Sequence, residues 1–228
     1  DEFSKIKLSN TYRIFMVGGS TMFGAGATSD KATIPGYLQH HLNEKDLGFD
    51  IEIINSGIPG ADSNTELKSI KQKLVMLSPD LLIIYDGWND LRANNNPMEV
   101  KENWETICKF GQENDFDVIV TLQPIAGFGN KVLTTQELKY ANTGEDYTNS
   151  PLIESLSIYQ DYAKDLSEIK TCTKTYDLRD VFDYETGPIY WDQGHVSDKG
   201  NSIVAKSLLN VVFPIVSENN GFSIFETE

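Results

Sequence analysis

The sequence is poor in cysteine and histidine. Its 228 residues include only two cysteines and three histidines. Two cysteines are too few for a disulfide-stapled scaffold, and neither lies in a CxxC or Cys/His metal-binding spacing. We interpret Cys108 as a buried small hydrophobic residue rather than a partner of Cys172, because it continues the apolar stripe Val100, Trp104, Ile107 at helical spacing. We expect neither a metal site nor a catalytic cysteine.

A long apolar run is also missing. No stretch approaches the roughly 18 apolar residues of a membrane-spanning helix. The N-terminal residues 1–5 are too polar for a signal peptide. We therefore expect a soluble chain as given, without membrane insertion. The chain does not begin with methionine, so the compartment stays open, and an extracytoplasmic location is compatible with removal of an upstream signal or anchor.

Basic residues are scarce relative to acidic ones. The chain has 19 Lys and Arg residues against 34 Asp and Glu residues, for a formal net charge of -15. Such a charge opposes binding to nucleic acid and to anionic membrane surfaces. The composition, 39% hydrophobic and 23% charged, is otherwise that of a globular protein. Its length fits a single domain over residues 1–228, and nothing indicates the oligomeric state.

Strand-like and helix-like patterns alternate along the chain, which is typical of a parallel sheet covered by helices. We predict an α/β fold with five strands, most of them continuous aliphatic runs as buried parallel strands require. The strands are Arg13 to Val17, Ile51 to Asn55, Leu81 to Tyr85, Asp117 to Leu122 and Lys174 to Leu178.

Five helices are predicted between and after these strands. The clearest one carries Leu67, Ile70 and Leu74 at helical spacing, with Ser63 and Glu66 in the arrangement of a capping box. The others run from Pro35 to about Lys45, from Pro97 past Cys108, from Ile153 to Leu166 and from about Lys199 to Val212.

The segment 124–151, rich in glycine and asparagine, fits no regular element. We predict a long loop. It follows the fourth strand and therefore emerges at the carboxyl edge of the sheet, where open α/β folds bind ligands. Long loops at such places are either functional lids or flexible decoration, and the sequence leaves both open.

Four short polar segments fall at this same edge, in residues 18–24, 55–60, 86–90 and 191–195. A serine hydroxyl becomes a nucleophile only when an imidazole takes its proton, and the imidazole needs an acceptor that fixes its tautomer. His195 lies in a polar loop three residues after Asp192, and Ser20 follows two glycines directly after the first strand. His40 and His41 fall within a predicted helix, where a surface or packing role is expected.

Two further residues end the neighbouring strands. The backbone N–H of Gly57 and the side-chain amide of Asn89, together with the N–H of Ser20, are candidate donors to a developing oxyanion. Each such donor is worth roughly 3 kcal/mol of transition-state stabilisation.

These four segments resemble the conserved blocks of the SGNH (GDSL) hydrolase superfamily, in order and in approximate spacing over nearly the whole chain. The resemblance implies a three-layer, flavodoxin-like fold with a five-stranded parallel sheet and helices on both faces. It also implies Ser20 as nucleophile, Gly57 and Asn89 as oxyanion donors, and Asp192 with His195 as the terminal D-x-x-H pair. No cofactor or metal is implied.

The first block departs from the GDSL form at two positions. Gly19 stands in place of the aspartate, and Thr21 in place of the leucine. Neither change removes a catalytic group. The difference therefore bears on the subfamily rather than on the chemistry.

Other enzyme classes fit less well. The glycine-rich turn does not match G-x-G-x-x-G, and no Gly-Lys-Ser/Thr occurs, which disfavours a nucleotide site. The G-x-S-x-G elbow of α/β-hydrolases is absent. A metal-dependent hydrolase could use Asp86, Asp90 and Asp192, but no histidine cluster supports such a site.

The sequence thus predicts a serine esterase that hydrolyses a small or carbohydrate-linked acyl ester through an acyl-enzyme intermediate. Two alternatives stay open. An acyltransferase would use the same triad and pass the acyl group to a sugar, and an inactive SGNH-fold module would only bind an acylated glycan.

Overall fold

A five-stranded parallel sheet forms the centre of the computed structural model, which describes residues 3–144 and 155–218. The strand order is β2-β1-β3-β4-β5, and all four pairings are parallel. All five predicted strands are confirmed, with small changes at their ends. They are β1 (Thr11–Gly18), β2 (Asp50–Gly57), β3 (Leu81–Asp86), β4 (Asp117–Leu122) and β5 (Lys174–Asp177).

Eight α-helices connect and cover these strands in the described residues. They are α1 (Ser20–Phe23), α2 (Ile34–Asn43), α3 (Ser63–Ser69), α4 (Trp88–Ala93), α5 (Pro97–Glu113), α6 (Thr135–Thr143), α7 (Leu156–Glu168) and α8 (Asp198–Glu218). The four predicted helices at α2, α5, α7 and α8 are confirmed in kind. The predicted start of α7 at Ile153 lies outside the described residues.

The helices lie in two layers, one on each face of the sheet. Alternate residues of β1 enter different cores, with Phe15 and Val17 on one face and Ile14 and Met16 on the other. The first core is completed by α3, α5 and α7, and the second by α2 and α8. Because both faces of the sheet are buried, the central strand β3 is buried at all six positions, and five of these carry Leu, Ile or Tyr, as the sequence pattern indicated.

The predicted capping box at Ser63 and Glu66 is not formed. Asp62 is the N-cap of α3 and accepts a hydrogen bond from the N–H of Thr65. Ser63 donates its hydroxyl to Asp90 Oδ1, and both carboxyl oxygens of Glu66 are buried without a hydrogen-bond partner. Beyond Ser69 the chain stays helical, through a π-helical turn at Ile70–Leu74 and a 3-10 turn at Val75–Leu77.

The prediction of a structureless loop over 124–151 is wrong for its middle part. Helix α6 occupies Thr135–Thr143 and begins with a genuine capping box formed by Thr134 and Glu137. The signal Thr-x-x-Glu was present in the sequence but stood among glycines and asparagines. Residues 145–151 lie outside the described part of the chain.

Helix α8 is long and apolar enough to cross a membrane by length and composition alone, with a mean hydropathy of 1.3. Its apolar face, however, packs into the second core. Val204, Leu208, Val212 and Val216 are fully buried there. The core packing therefore accounts for the apolar character of this helix.

A disulfide joins Cys108 on α5 to Cys172 in the segment before β5. Cys108 is buried on the apolar stripe as expected, and it is paired with Cys172, which the sequence left open as the less favoured alternative. The two cysteines are 64 residues apart. Their proximity arises because α7 returns the chain beside α5 before β5 begins, which local sequence patterns do not reveal.

We predict that reducing this disulfide, or replacing both cysteines by serine, lowers the free energy of unfolding by about 2 to 4 kcal/mol, because the cross-link restricts a long loop of the unfolded chain. Urea denaturation followed by tryptophan fluorescence measures the change. The double serine variant should not respond to dithiothreitol. Equal stability of the oxidised and reduced wild-type protein would contradict the prediction.

Candidate active site

The order of the strands brings the functional segments together. Strand β1 has β2 on one side and β3 on the other, so the chain order reverses there, and open α/β folds bind ligands beside such a point. Ser20 follows β1 as the first residue of α1, and Asn89 follows β3 within α4. Both therefore lie at the carboxyl edge of the sheet.

Ser20, His195 and Asp192 form a continuous hydrogen-bonded line. His195 Nε2 is 2.7 Å from Ser20 Oγ, and His195 Nδ1 is 2.6 Å from Asp192 Oδ2. The other carboxylate oxygen of Asp192 accepts the backbone N–H groups of Gly194, at 2.8 Å, and of His195, at 2.7 Å. The carboxylate is thus fixed by its own loop and faces the imidazole nitrogen remote from the serine.

The imidazole of His195 is held by an aromatic ring as well. Trp88 meets it edge to face, with ring centroids 5.0 Å apart and planes at 83°. Gly194 allows this approach, because a Cβ at that position would lie 2.4 Å from the indole ring of Trp88. His195 and Asp192 are both buried. In such surroundings a hydrogen bond is stronger than in water.

The side chain of Asn89 packs against Gly19 in the first block, at a distance that leaves no room for a Cβ on residue 19. Its Nδ2 donates to the carbonyl of Ala61 at 2.6 Å. A Cβ on Gly19 would lie 2.1 Å from this same Nδ2 atom. The glycine that stands in place of the GDSL aspartate therefore gives the Asn89 amide its position next to Ser20.

Gly57 is not placed as the sequence predicted. The N–H of the next residue, Ile58, points inward and donates to Gly18 on β1. Since N–H directions alternate along a strand, the N–H of Gly57 points to the open edge beyond β2, where it donates to Asn55 Oδ1 at 3.0 Å. Ser20 and Asn89 lie on the other side. The oxyanion role assigned to Gly57 therefore does not agree with the geometry.

Gly60, three residues after Gly57, is the next glycine of the same polar segment. It lies in a turn closed by the bond from Ala61 N–H to the Ile58 carbonyl, and its φ of 80° is the left-handed value that this turn needs. The turn is next to the first block, because a Cβ on Gly19 would lie 3.4 Å from its Ala61 carbonyl oxygen. Among the described residues the N–H of Gly60 has no acceptor. The dipeptide Pro59-Gly60 was the sequence signal for this turn.

Asp86 ends β3 and Asp90 lies on α4, and the hydrogen bonds of both side chains hold α4 in place. Asp86 accepts bonds from Gly87 N–H and Trp104 Nε1, and Asp90 accepts bonds from Ser63 and Asn95. Burial raises the pKa of Asp86 well above its ordinary range, and the neighbouring Asp90 adds to the shift. In residues 3–144 and 155–218, no three His, Cys, Asp or Glu side chains are grouped to hold a metal ion.

The other two histidines lie away from this line. His40 and His41 are on α2, as expected, and both are within ionic range of Glu44, at 3.5 Å and 3.8 Å. Helix α2 packs against β2 and α8.

The fold is shared with solved structures of esterases. An acetyl xylan esterase, AlAXEase, aligns with a TM-score of 0.62 at 18% identity, over 88% of this chain and 99% of that one. A catalytic mutant of an acetylxylan esterase from Geobacillus stearothermophilus aligns with a TM-score of 0.64 at 14% identity, over 87% of this chain and 93% of that one. A two-domain esterase active on acetylated mannans aligns with a TM-score of 0.63 at 15% identity, over 96% of this chain and 52% of that one.

Sequence comparison identifies the family. No curated protein sequence matches the chain significantly. The family model described as GDSL-like lipase/acylhydrolase, however, matches residues 16–203, which extend from β1 into α8 and include all four polar segments. The fold predicted from the sequence is that of the structural neighbours. The chain therefore belongs to the GDSL-like lipase/acylhydrolase family of hydrolases.

Proposed function

We propose that this hydrolase is a serine esterase in which Ser20 is the nucleophile, His195 the general base and Asp192 the residue that orients the imidazole. The observation that carries the proposal is the line of hydrogen bonds from Ser20 Oγ through both ring nitrogens of His195 to Asp192, at 2.7 Å and 2.6 Å. Asp192 accepts a hydrogen bond from the Nδ1–H group, so Nε2 is the unprotonated ring nitrogen that takes the proton of Ser20.

The reaction proceeds in two steps. Ser20 Oγ attacks the ester carbonyl while its proton passes to His195 Nε2, and His195 then protonates the leaving alcohol. Water, deprotonated by His195, attacks the resulting acyl-enzyme and releases the acid. Asp192 stabilises the imidazolium that forms in each step.

The oxyanion receives hydrogen bonds from three donors. They are the N–H of Ser20, the N–H of Gly60 and the second Nδ2 hydrogen of Asn89, whose first hydrogen is used by the Ala61 carbonyl. Gly60 replaces Gly57 in this proposal because the Gly57 N–H is bonded to Asn55 on the opposite side of β2. Donors fixed in advance in this way lower the barrier without reorganisation.

The proposed substrate is a small acyl ester on a carbohydrate. Trp191 directly precedes Asp192 and is 59% exposed, and Phe23 at the end of α1 is 54% exposed. Exposed indole and phenyl rings at the edge of a site offer flat apolar faces for a sugar ring. Three of the similar structures, two acetylxylan esterases and one esterase active on acetylated mannans, support the same class of substrate.

We predict that Ser20→Ala lowers kcat for p-nitrophenyl acetate by at least about 10³-fold while leaving the fold intact. Labelling with a fluorophosphonate, followed by peptide mapping, should place the adduct on Ser20 in the wild type and show none in the variant. Product analysis with a sugar as acceptor separates hydrolysis from acyl transfer. A folded wild-type protein that neither reacts with the probe nor hydrolyses esters would favour the binding-module alternative.

We predict that Gly19→Ala lowers kcat by about 10- to 100-fold with little change in KM, because the new Cβ displaces the Asn89 amide that would bind the oxyanion. Steady-state kinetics with p-nitrophenyl acetate measures both constants. Gly187→Ala is the matched control, since a Cβ there meets no atom within 4 Å. Unchanged kcat in a folded Gly19→Ala protein would argue against the donor role of Asn89.

We predict that Trp191→Ala lowers kcat/KM for acetylated xylooligosaccharides about tenfold, the loss expected for one aromatic contact of 1 to 1.5 kcal/mol. The value for p-nitrophenyl acetate should change by less than about threefold, because that substrate has no sugar to bind. Tyr184→Ala, which removes another exposed ring, is the control. Equal losses on both substrates would count against a sugar contact, and faster hydrolysis of long-chain esters would count against a small acyl group.

A further inference from the structure

The loop that carries Asp192 and His195 has almost no regular structure of its own. Residues 189–197 contain one isolated bridge, between Tyr190 and Val196. Two internal bonds close the loop, from Trp191 N–H to the His195 carbonyl at 2.9 Å and from Ser197 N–H to the Ile189 carbonyl at 2.7 Å. Such a loop needs outside support to keep His195 Nε2 within 2.7 Å of Ser20.

That support comes from the segment around α6. Ala126 N–H donates to the carbonyl of Gln193 at 2.8 Å, and Gln193 Nε2 donates to the carbonyl of Tyr140 at 3.2 Å. At the start of the loop, Glu137 Oε1 accepts the backbone N–H groups of Ile189, at 2.8 Å, and of Tyr190, at 3.1 Å. In the described residues, the segment for which the sequence left a lid and flexible decoration open thus packs against the side of the loop.

The buried carboxylate of Glu137 is ionised and accepts hydrogen bonds at both oxygens. Its side chain is fully buried, and its second oxygen accepts bonds from Lys131 Nζ and from Thr134 N–H, both at 2.8 Å. Burial alone would raise the pKa of Glu137, but the bonds from Lys131, Ile189, Thr134 and Tyr190 outweigh it and lower the pKa to about 2. The carboxylate therefore stays ionised, and keeps its four donors, across the pH range in which an imidazole base works.

We propose that Glu137 is a positioning residue for the reaction: its carboxylate fixes the backbone of Ile189 and Tyr190 and thereby holds the Asp192 and His195 loop against Ser20. This inference rests on the proposed function. Only Trp191 separates Tyr190 from Asp192, so a displacement of the clamped backbone is passed directly to the catalytic pair. A shift of about 1 Å at a reacting group can reduce the rate about 100-fold.

The test compares two double variants that differ in one hydrogen-bond acceptor. Lys131→Met with Glu137→Met removes the buried charges together, which avoids leaving one of them unpaired, and leaves the Ile189 and Tyr190 N–H groups without an acceptor. Lys131→Met with Glu137→Gln also removes both charges, but its amide oxygen can turn towards those two N–H groups. We expect the first to lower kcat for p-nitrophenyl acetate at least tenfold, and the second to stay within about threefold of wild type, with KM little changed in both.

A second measurement does not depend on turnover. The titration of His195, followed by NMR of its ring protons, should shift in the Glu137→Met double variant and stay near the wild-type midpoint in the Glu137→Gln one. Val100→Ala, a core substitution on α5, lowers stability without touching the loop and should change neither kcat nor the titration. Equal kcat and equal His195 titration in the two double variants would overturn the proposal, whatever their melting temperatures.

The proposal can still be tested if the double variants do not fold, and its failure can be told apart from failure of the proposed function. If the double variants do not fold, the single variant Glu137→Gln takes their place. Its amide oxygen stays with the Lys131 ammonium, because a charge-assisted bond is stronger than two neutral ones, so kcat should fall at least tenfold, and unchanged kcat overturns the proposal. If Ser20→Ala retains wild-type activity, the proposed function fails, whereas the His195 titration still decides the role of Glu137.

Discussion

The structure depends on one contact between distant parts of the chain, the hydrogen bond between Ser20 Oγ and His195 Nε2, whose residues are 175 positions apart. Ser20 is held by the sheet, because it begins α1 directly after β1, which is paired on both sides. His195 lies on an irregular loop and has no such frame. The packing of α6, of Trp88 and of the Asp192 carboxylate around this loop supplies the precision that a strand or helix supplies elsewhere.

The second constraint is that two side chains of α4 pack directly against the backbone of other segments, which requires glycine at two positions. A Cβ at residue 19 would meet the Asn89 amide, and one at residue 194 would meet the Trp88 indole. Trp88 and Asn89 are neighbours at the start of α4. One short helix therefore contacts both the histidine side and the serine side of the site, and each contact requires a missing side chain on the opposite element.

Local signals in the sequence were sufficient for much of this arrangement. Strand-like patterns, most of them continuous aliphatic runs, predicted all five strands, and the four polar segments contained Ser20, Asn89, Asp192 and His195. These predictions worked because strand ends and their following turns are set by nearby residues. Family resemblance added the order of the four blocks, and the fold it implied is the one observed.

Predictions failed where the outcome depends on direction or on distant partners. Gly57 ends β2 and Gly60 lies in the turn that follows, and only the alternation of N–H groups along the strand shows that the Gly57 N–H faces the outer edge. The Cys108–Cys172 pair depends on how α7 returns beside α5. Glu137 was overlooked because a capping glutamate is an ordinary helix signal, and its bonds to Ile189 and Tyr190 exist only in the folded chain.

The buried carboxyl groups on the two sides of the site also differ in the direction in which their pKa values are shifted. Below α4, burial raises the pKa of Glu66 well above its ordinary range, with Asp86 and Asp90 adding to the shift, and the pKa of Asp86 is raised as well. Below the histidine loop, hydrogen bonds lower the pKa of Glu137 to about 2 despite burial. The ionised Glu137 is bonded to the loop that carries His195, so its negative charge lies on the side of the site where the proposed mechanism makes the imidazole positive.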